Sequence, residues 1–223
     1  MCKYCKRDFA IFSFACIIIL GCGIMAKLYF RFGAMGSGKS SLLMQVAYNY
    51  NERGMDVLII KPKVDTKSGN SVSSRIGIER KADILIGKDE SFKSYYDDFK
   101  DKSCILVDEV QFLNKSQIEE LWKATKKLDV PIICYGLKTD FRGNLFEGSK
   151  RLIELSDQIE EIATICKCGK KARFNARYVN GKFTLNGDEV VIDGAKNDVE
   201  YISLCGKCYL DECEKLEKVD EAC

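Results

Sequence analysis

The sequence predicts an α/β fold, a parallel sheet with helices on both faces, followed by a small cysteine-bearing module. Three observations carry this expectation. Short, continuous apolar runs such as Val57-Leu58-Ile59-Ile60 and Cys104-Ile105-Leu106-Val107 have the pattern of strands buried on both faces. They alternate with stretches of helical apolar spacing, which is the signature of a parallel sheet built from strand–helix–strand units. After about residue 162 the apolar runs stop, and two close cysteine pairs bracket a segment rich in Gly, Lys and Asn.

Each element follows in order. Leu28 to Phe32 is a β-type run that feeds the glycine-rich stretch Gly33-Ala34-Met35-Gly36-Ser37-Gly38-Lys39-Ser40. From Ser40 to Tyr50 the apolar residues recur at helical spacing and stop near Gly54. Val57 to Ile60 is a buried strand. Lys61 to Arg80, with its Ser, Gly, Asn and Lys, reads as a mobile loop. Ala82 to Ile86 reads as a strand, Cys104 to Asp108 as a buried strand ending in acids, Lys115 to Leu128 as an amphipathic helix, and Val130 to Gly136 as a further strand. The expected organisation is an extension over 1–24, a nucleotide-binding domain over 25–162, a metal-stapled module over 163–210 and a charged tail over 211–223, read as a fraying helix.

Composition narrows the chemistry. The chain has 223 residues, of which 46% are hydrophobic and 30% charged, enough for one sizeable domain and a small appendage. A net charge of +2 gives no reason to expect nucleic acid or an acidic membrane as a partner. There is no histidine, which excludes Ser-His-Asp and Cys-His catalysis, histidine-ligated zinc and a histidine general base. Proton abstraction falls to a carboxylate, lysine, tyrosine or cysteine. The twelve cysteines occur beside an ATP-type loop, so the expected compartment is reducing and ATP-rich: the cytoplasm.

The first twenty-four residues stand apart. A basic start, MCKYCKRD, precedes a sixteen-residue apolar run from Phe9 to Ile24. One reading is a signal or anchor, with Ile19-Leu20-Gly21-Cys22 resembling a lipoprotein box. The favoured reading is an upstream start artefact with Met25 as the initiator, because Met25 leads directly into the first strand. No membrane contact is expected unless the extension is real.

GAMGSGKS fits G-x-x-x-x-G-K-[ST], and it has the strand before it and the helix after it that the motif requires. Gly33, Gly36 and Gly38 let successive N–H groups face phosphate oxygens. Lys39 reaches the terminal phosphates and Ser40 holds Mg²⁺. Asp108 ends an apolar strand, where an acid supports the magnesium ion. Glu109 is then spare beside the γ-phosphate and is the best base in a chain lacking histidine. Phe112, Phe141 and Phe146 are candidates for an apolar slot, with core packing as the alternative. Cys166-x-Cys168 and Cys205-x-x-Cys208, separated by 36 residues, supply four thiolates for a structural zinc ion; a redox pair or unbound thiols are the alternatives.

The ordered set GAMGSGKS, Val107-Asp108-Glu109-Val110-Gln111-Phe112, Cys134-Tyr135-Gly136-Leu137-Lys138-Thr139-Asp140-Phe141, Asp193-Gly194-Ala195 and Tyr201 to Cys208 resembles the type II, cytosolic-type thymidine kinases over residues 25 to 210. The resemblance implies a P-loop NTPase (RecA-like) sheet with a zinc-ribbon lasso module, ATP with Mg²⁺ as donor, and thymidine as acceptor, with Glu109 as the base for its 5′-hydroxyl. It places Gly33 to Ser40 and Asp108, Glu109, Val110 and Gln111 on the ATP side. Met35, Phe112, Leu137, Phe141, Phe146, Val191, Ile192 and Tyr201 fall on the nucleoside side. A homotetramer and feedback inhibition by thymidine triphosphate are also implied. Three departures stand out: the first cysteine pair has one intervening residue, Asn175 stands where a threonine often lies near the base's methyl group, and Val199-Glu200 forms a short insertion. The competing reading is a zinc-ribbon P-loop ATPase stimulated by nucleic acid.

Overall fold

The computed structural model describes residues 25–63, 71–74, 77–187 and 199–220. The 1–24 extension, with Cys2 and Cys5, lies outside the described residues, as do Val191, Ile192 and Asp193-Gly194-Ala195. The elements run β1 (Leu28–Phe32), α1 (Lys39–Asn51), β2 (Val57–Pro62), β3 (Ser71–Ser73), β4 (Glu79–Lys81), β5 (Ile84–Ile86), α2 (Tyr96–Lys100), β6 (Cys104–Val107), α3 (Lys115–Leu128), β7 (Ile132–Gly136) and α4 (Glu147–Leu155). The C-terminal part adds β8 (Gln158–Glu161), β9 (Thr164–Ile165), β10 (Lys171–Ala172), β11 (Phe174–Val179), β12 (Lys182–Phe183), β13 (Val199–Leu204) and α5 (Gly206–Asp220).

Six strands form one parallel sheet in the order β5-β2-β6-β7-β1-β8. Strand β7 is interposed between β1, which leads into the phosphate loop, and β6, which ends at the acids. Successive strand residues face opposite sides, and both sides are apolar. Leu58, Ile60, Ile105 and Val107 pack with Ile118, Leu121 and Ala124 of α3, Leu152 of α4 and Phe99 of α2. Val57, Ile59, Leu106 and Ile133 pack on the other side with Leu43, Met44, Ala47 and Tyr50 of α1. Helix α3 matches its expected bounds and begins at a complete capping box, Asn114 with Gln117.

Two expectations are corrected. The Lys61–Arg80 stretch contains structure: Lys61 and Pro62 continue β2, and β3 and β4 pair antiparallel with Val72 buried. Its strands are three residues long and mostly polar, so they lack the apolar alternation that marks a strand. The helix read in the charged tail begins earlier than residue 211: α5 starts at Gly206, inside the second cysteine pair, and runs through to Asp220.

The C-terminal module consists of the β9–β10 hairpin and the antiparallel sheet β12-β11-β13, closed by α5. Its buried apolar core is Cys166, Ala172, Ala176, Leu204 and Cys205, backed by partly buried Tyr178, Phe183, Ile202 and Tyr209.

Candidate active site

In open α/β sheets ligands gather outside the carboxyl ends of the strands. The predicted phosphate loop lies there, between β1 and α1. Gly38 precedes α1 at φ 80° and ψ 20°, the left-handed conformation that disfavours a side chain. Helix α1 has no side-chain cap and no acid in its first turn. Its first N–H groups are therefore left for an external acceptor, unlike those of α3, where Asn114 Oδ1 accepts from the Gln117 N–H and Glu147 Oε1 from the Lys115 N–H. Lys39 is buried and folds back across the loop, donating from Nζ to the carbonyl oxygens of Gly33 at 3.1 Å and Ala34 at 3.0 Å.

The acids follow β6. Asp108 is 3% exposed, and its Oδ2 accepts from Ser40 Oγ at 3.1 Å. Its other oxygen, Oδ1, is buried with no hydrogen-bond partner among the described residues. Burial foremost, then the adjacent charge of Glu109, pushes the Asp108 carboxyl up to about 7, against the lowering effect of Ser40 and Lys39. A buried carboxylate oxygen without a partner, beside a hydroxyl and a phosphate-binding loop, fits a hard divalent cation such as Mg²⁺.

Glu109 adopts φ 50° and ψ 42°, an uncommon conformation for a side-chain-bearing residue and one that turns the chain sharply away from the strand. Its Oε2 accepts from Gln111 Nε2 at 2.6 Å, and Gln111 Oε1 accepts from the backbone N–H of Leu137 at 3.0 Å. Gln111 therefore ties Glu109 to the end of β7. The approach is close: a Cβ added to Gly136 would lie 2.6 Å from Gln111 Oε1. Val110, placed on the ATP side by resemblance, is fully buried in the apolar core.

On the expected nucleoside side, Met35, Phe112, Leu137 and Tyr201 are half-buried, and Phe146 is buried at the start of α4. The carbonyl of Leu137 accepts from Ser149 Oγ at 2.6 Å. The turn after Thr139 is fixed by Asp140, whose Oδ1 accepts from the N–H groups of Arg142 and Asn144 at 2.9 and 2.8 Å. Phe141 is only 2% exposed. The guanidinium carbons of Arg177 and Arg142 lie 3.7 Å and 4.6 Å from its ring centroid, and its carbonyl accepts from the Tyr209 hydroxyl at 2.6 Å. Asn175, flagged at the threonine position, directs its amide oxygen to the N–H of Met35 at 2.8 Å.

The cysteines converge as their spacing predicts. Cys166 and Cys168 lie on the turn of the β9–β10 hairpin, held by bonds between Cys166 and both Lys170 and Gly169. Cys205 follows β13 and Cys208 lies in the first turn of α5. All four sulfur atoms lie within 4.8 Å of one another, and Cys168 and Cys205 are 3.5 Å apart. A tetrahedral ZnS₄ centre with arms of about 2.3 Å has edges of about 3.8 Å, so the donor set and spacing fit zinc. Burial opposes the Cys166 thiolate, yet the N–H groups of Cys168 and Cys205 hold this thiol down to about 6. Cys104 and Cys134 are fully buried core thiols, as expected.

A profile for thymidine kinase matches residues 26–209. The chain belongs to the thymidine kinase family. Within it, the chain is 45% identical over 186 residues to a thymidine kinase of Streptococcus thermophilus, covering 82% of this chain and 93% of that protein. It is 42% identical over 196 residues to one of Haemophilus influenzae, covering 86% and 100%. It is 41% identical over 189 residues to one of Francisella tularensis, covering 82% and 96%. A solved structure of the replication initiator DnaA bound to AMPPCP and single-stranded DNA covers 62% of this chain and 40% of its own. Its TM-score is 0.40 at 17% identity, too low a likeness to carry an inference.

For a member of the thymidine kinase family, the arrangement adds two features that local sequence patterns did not reveal. One is Gln111 as the orienting partner of Glu109; the pair sits two residues apart on a tight turn, but the anchor at Leu137 is 26 residues away. The other is Ser203, whose hydroxyl reaches the carbonyl of Met35 at 2.5 Å across 168 residues of sequence.

Proposed function

We propose that this chain transfers the γ-phosphoryl group of ATP to the 5′-hydroxyl of thymidine, giving thymidine 5′-monophosphate and ADP. The observation that carries the reading is the pairing of Asp108 with Glu109. The first is buried with an oxygen left over beside Ser40; the second leaves the strand on a left-handed turn and is oriented by Gln111.

The loop Gly33 to Ser40 holds the donor phosphates, with Lys39 released from the Gly33 and Ala34 carbonyls to meet them. Ser40 and Asp108 are the residues to hold Mg²⁺, which neutralises phosphate charge when bound. Glu109 accepts the proton of the 5′-hydroxyl as the oxygen attacks phosphorus, and Gln111 keeps the carboxylate aimed. Met35, Phe112, Leu137, Phe141, Phe146 and Tyr201, with Val191 and Ile192 from outside the described residues, flank the nucleoside. Cys166, Cys168, Cys205 and Cys208 hold a structural zinc ion, because four protein ligands leave it no open position.

The same reading divides the chain into a kinase domain over 25–162, a zinc-binding lasso module over 163–210 and a charged tail over 211–223, and includes a cytoplasmic homotetramer inhibited by thymidine triphosphate. No helix among the described residues is long and apolar enough to cross a membrane.

A coupled assay for ADP tests the proposal with thymidine, deoxyuridine, deoxycytidine and single-stranded DNA as separate additions. Thymidine is expected to drive ADP release, with thymidine monophosphate formed in equal amount. ADP release that ignores thymidine and rises with DNA would overturn the reading in favour of a nucleic-acid-stimulated ATPase.

A further inference from the structure

Met35 lies in the middle of the phosphate loop, yet both of its backbone polar groups are engaged by the C-terminal module. Its N–H donates to Asn175 Oδ1 at 2.8 Å, and its carbonyl accepts from Ser203 Oγ at 2.5 Å. These two partners are not independent. Asn175 on β11 and Ser203 on β13 are direct register partners. Residues directly opposed in an antiparallel pair project their side chains to the same face. The module thus presents one acceptor and one donor side by side, matched to the donor and acceptor of one residue.

The position of this grip matters. Met35 comes just before Gly36 to Ser40, the part of the loop whose N–H groups face a phosphate. On the module side, Tyr201 precedes Ser203 by two residues on β13, and alternate residues of a strand share a face. The strand that carries Tyr201 toward the acceptor also carries the hydroxyl that holds the donor loop. Asn175 is 5% exposed, so its amide oxygen has little access to water in place of Met35.

We propose that Asn175 and Ser203 are positioning residues that lock the phosphate loop to the C-terminal ribbon, so that occupation of the acceptor site by a nucleoside tightens the binding of ATP, and the reverse. This rests on the reading above, in which the ribbon flanks the nucleoside. The two bonds act as a unit on Met35, so loss of either one frees the loop to move relative to the ribbon. By linkage, whatever factor thymidine contributes to ATP affinity, ATP contributes to thymidine affinity.

The test uses full-length, zinc-loaded protein and isothermal titration of a non-hydrolysable ATP analogue, with and without saturating thymidine. The native chain is expected to bind the analogue about 5-fold or more tightly with thymidine present, the lower end of ordinary coupling between sites. Ser203→Ala, which removes only one oxygen, is expected to bring that ratio close to one and to weaken the analogue several-fold, while thymidine alone binds as before. Ser203→Thr keeps the hydroxyl on a strand that accommodates β-branching and is expected to restore the ratio. Asn175→Leu removes the acceptor on the other strand and is read on analogue affinity without thymidine, since Asn175 stands at the position expected beside the base; it is expected to weaken the analogue several-fold, and if it does not fold, the serine pair decides. A serine role confined to stability would lower the melting temperature and leave the ratio alone, which overturns the proposal, as does a native ratio of one. If the native chain fails to phosphorylate thymidine, the functional reading falls by itself. The clamp is then judged on analogue affinity, and an unchanged value in Ser203→Ala overturns it.

Discussion

The six-stranded sheet and the C-terminal ribbon meet at Met35, but they are stabilised in different ways. The sheet buries large apolar side chains on both faces, among them Leu28, Phe30, Ile60 and Leu121 on one side and Leu43, Ile59 and Leu106 on the other. Each such side chain contributes about 1.5–3 kcal/mol on burial. The ribbon buries Ala172, Ala176 and Leu204 together with Cys166 and Cys205, two of the four thiols that face one another. Its core is small, and part of it is the candidate metal-ligand set itself. The sheet can therefore keep its own fold without help, whereas the ribbon depends on its thiols being tied together.

The largest test of this contrast is removal of the proposed zinc ligands. In Cys205→Ser, or after chelation, the ribbon is expected to lose its fold, because structural zinc contributes on the order of 10 kcal/mol or more in small domains. Thymidine phosphorylation should be abolished while most of the far-UV circular dichroism of the sheet survives. A single cooperative loss of all structure would break the comparison.

Next comes Glu109→Gln, which removes the proposed proton acceptor from the sheet side. Turnover is expected to fall by about 10²–10⁴-fold with both substrates still bound, as read from single-turnover kinetics alongside direct titration. Gly136→Ala is a smaller change within the sheet. Its new methyl would lie 2.6 Å from Gln111 Oε1 and 2.8 Å from Val110 Cγ2, and overpacking of this kind costs about 1–3 kcal/mol. A shifted denaturant midpoint with zinc content unchanged is the expected result, along with slower turnover as Gln111 is displaced.

The smallest effect concerns Glu90, whose carboxyl is held down to about 2 by the Tyr95 hydroxyl first, then by the Gly87 N–H and Lys63. A depressed carboxylate stabilises the fold above its unfolded value of about 4.3 and loses that contribution as pH falls through its folded value. Glu90→Gln should therefore be modestly less stable than the native chain at pH 7, with the difference closing between about pH 4 and pH 2. A difference that grows on acidification would contradict the assigned bonds.

How much of this was legible beforehand varies with range. The phosphate loop, Asp108, Glu109 and the cysteine pairs announce themselves because their chemistry lies in residue identity and short spacing. Helix α3 was readable to its ends because Asn114, Gln117 and the apolar repeat from Ile118 agree. The β3–β4 hairpin was not, since only Val72 supplies a buried apolar signal between polar neighbours. α4 and β8 give weaker local signals, the first being nine residues long and the second, Gln158–Glu161, a largely polar edge strand. Within the site, what escaped were contacts between distant segments, such as Gln111 with Leu137 and Asn175 with Met35. Nothing local in either partner encodes the other.

The placement of β7 between β1 and β6 has a consequence for what can react here. Neighbouring strands are about 4.8 Å apart, so the loop and the acids spring from strands roughly 10 Å from each other. Had those two strands been adjacent, the loop and the acids would rise only about 4.8 Å apart. The interposed strand doubles that spacing and sets its own end, with Leu137, between them, where a second reactant beside the donor would meet the chain.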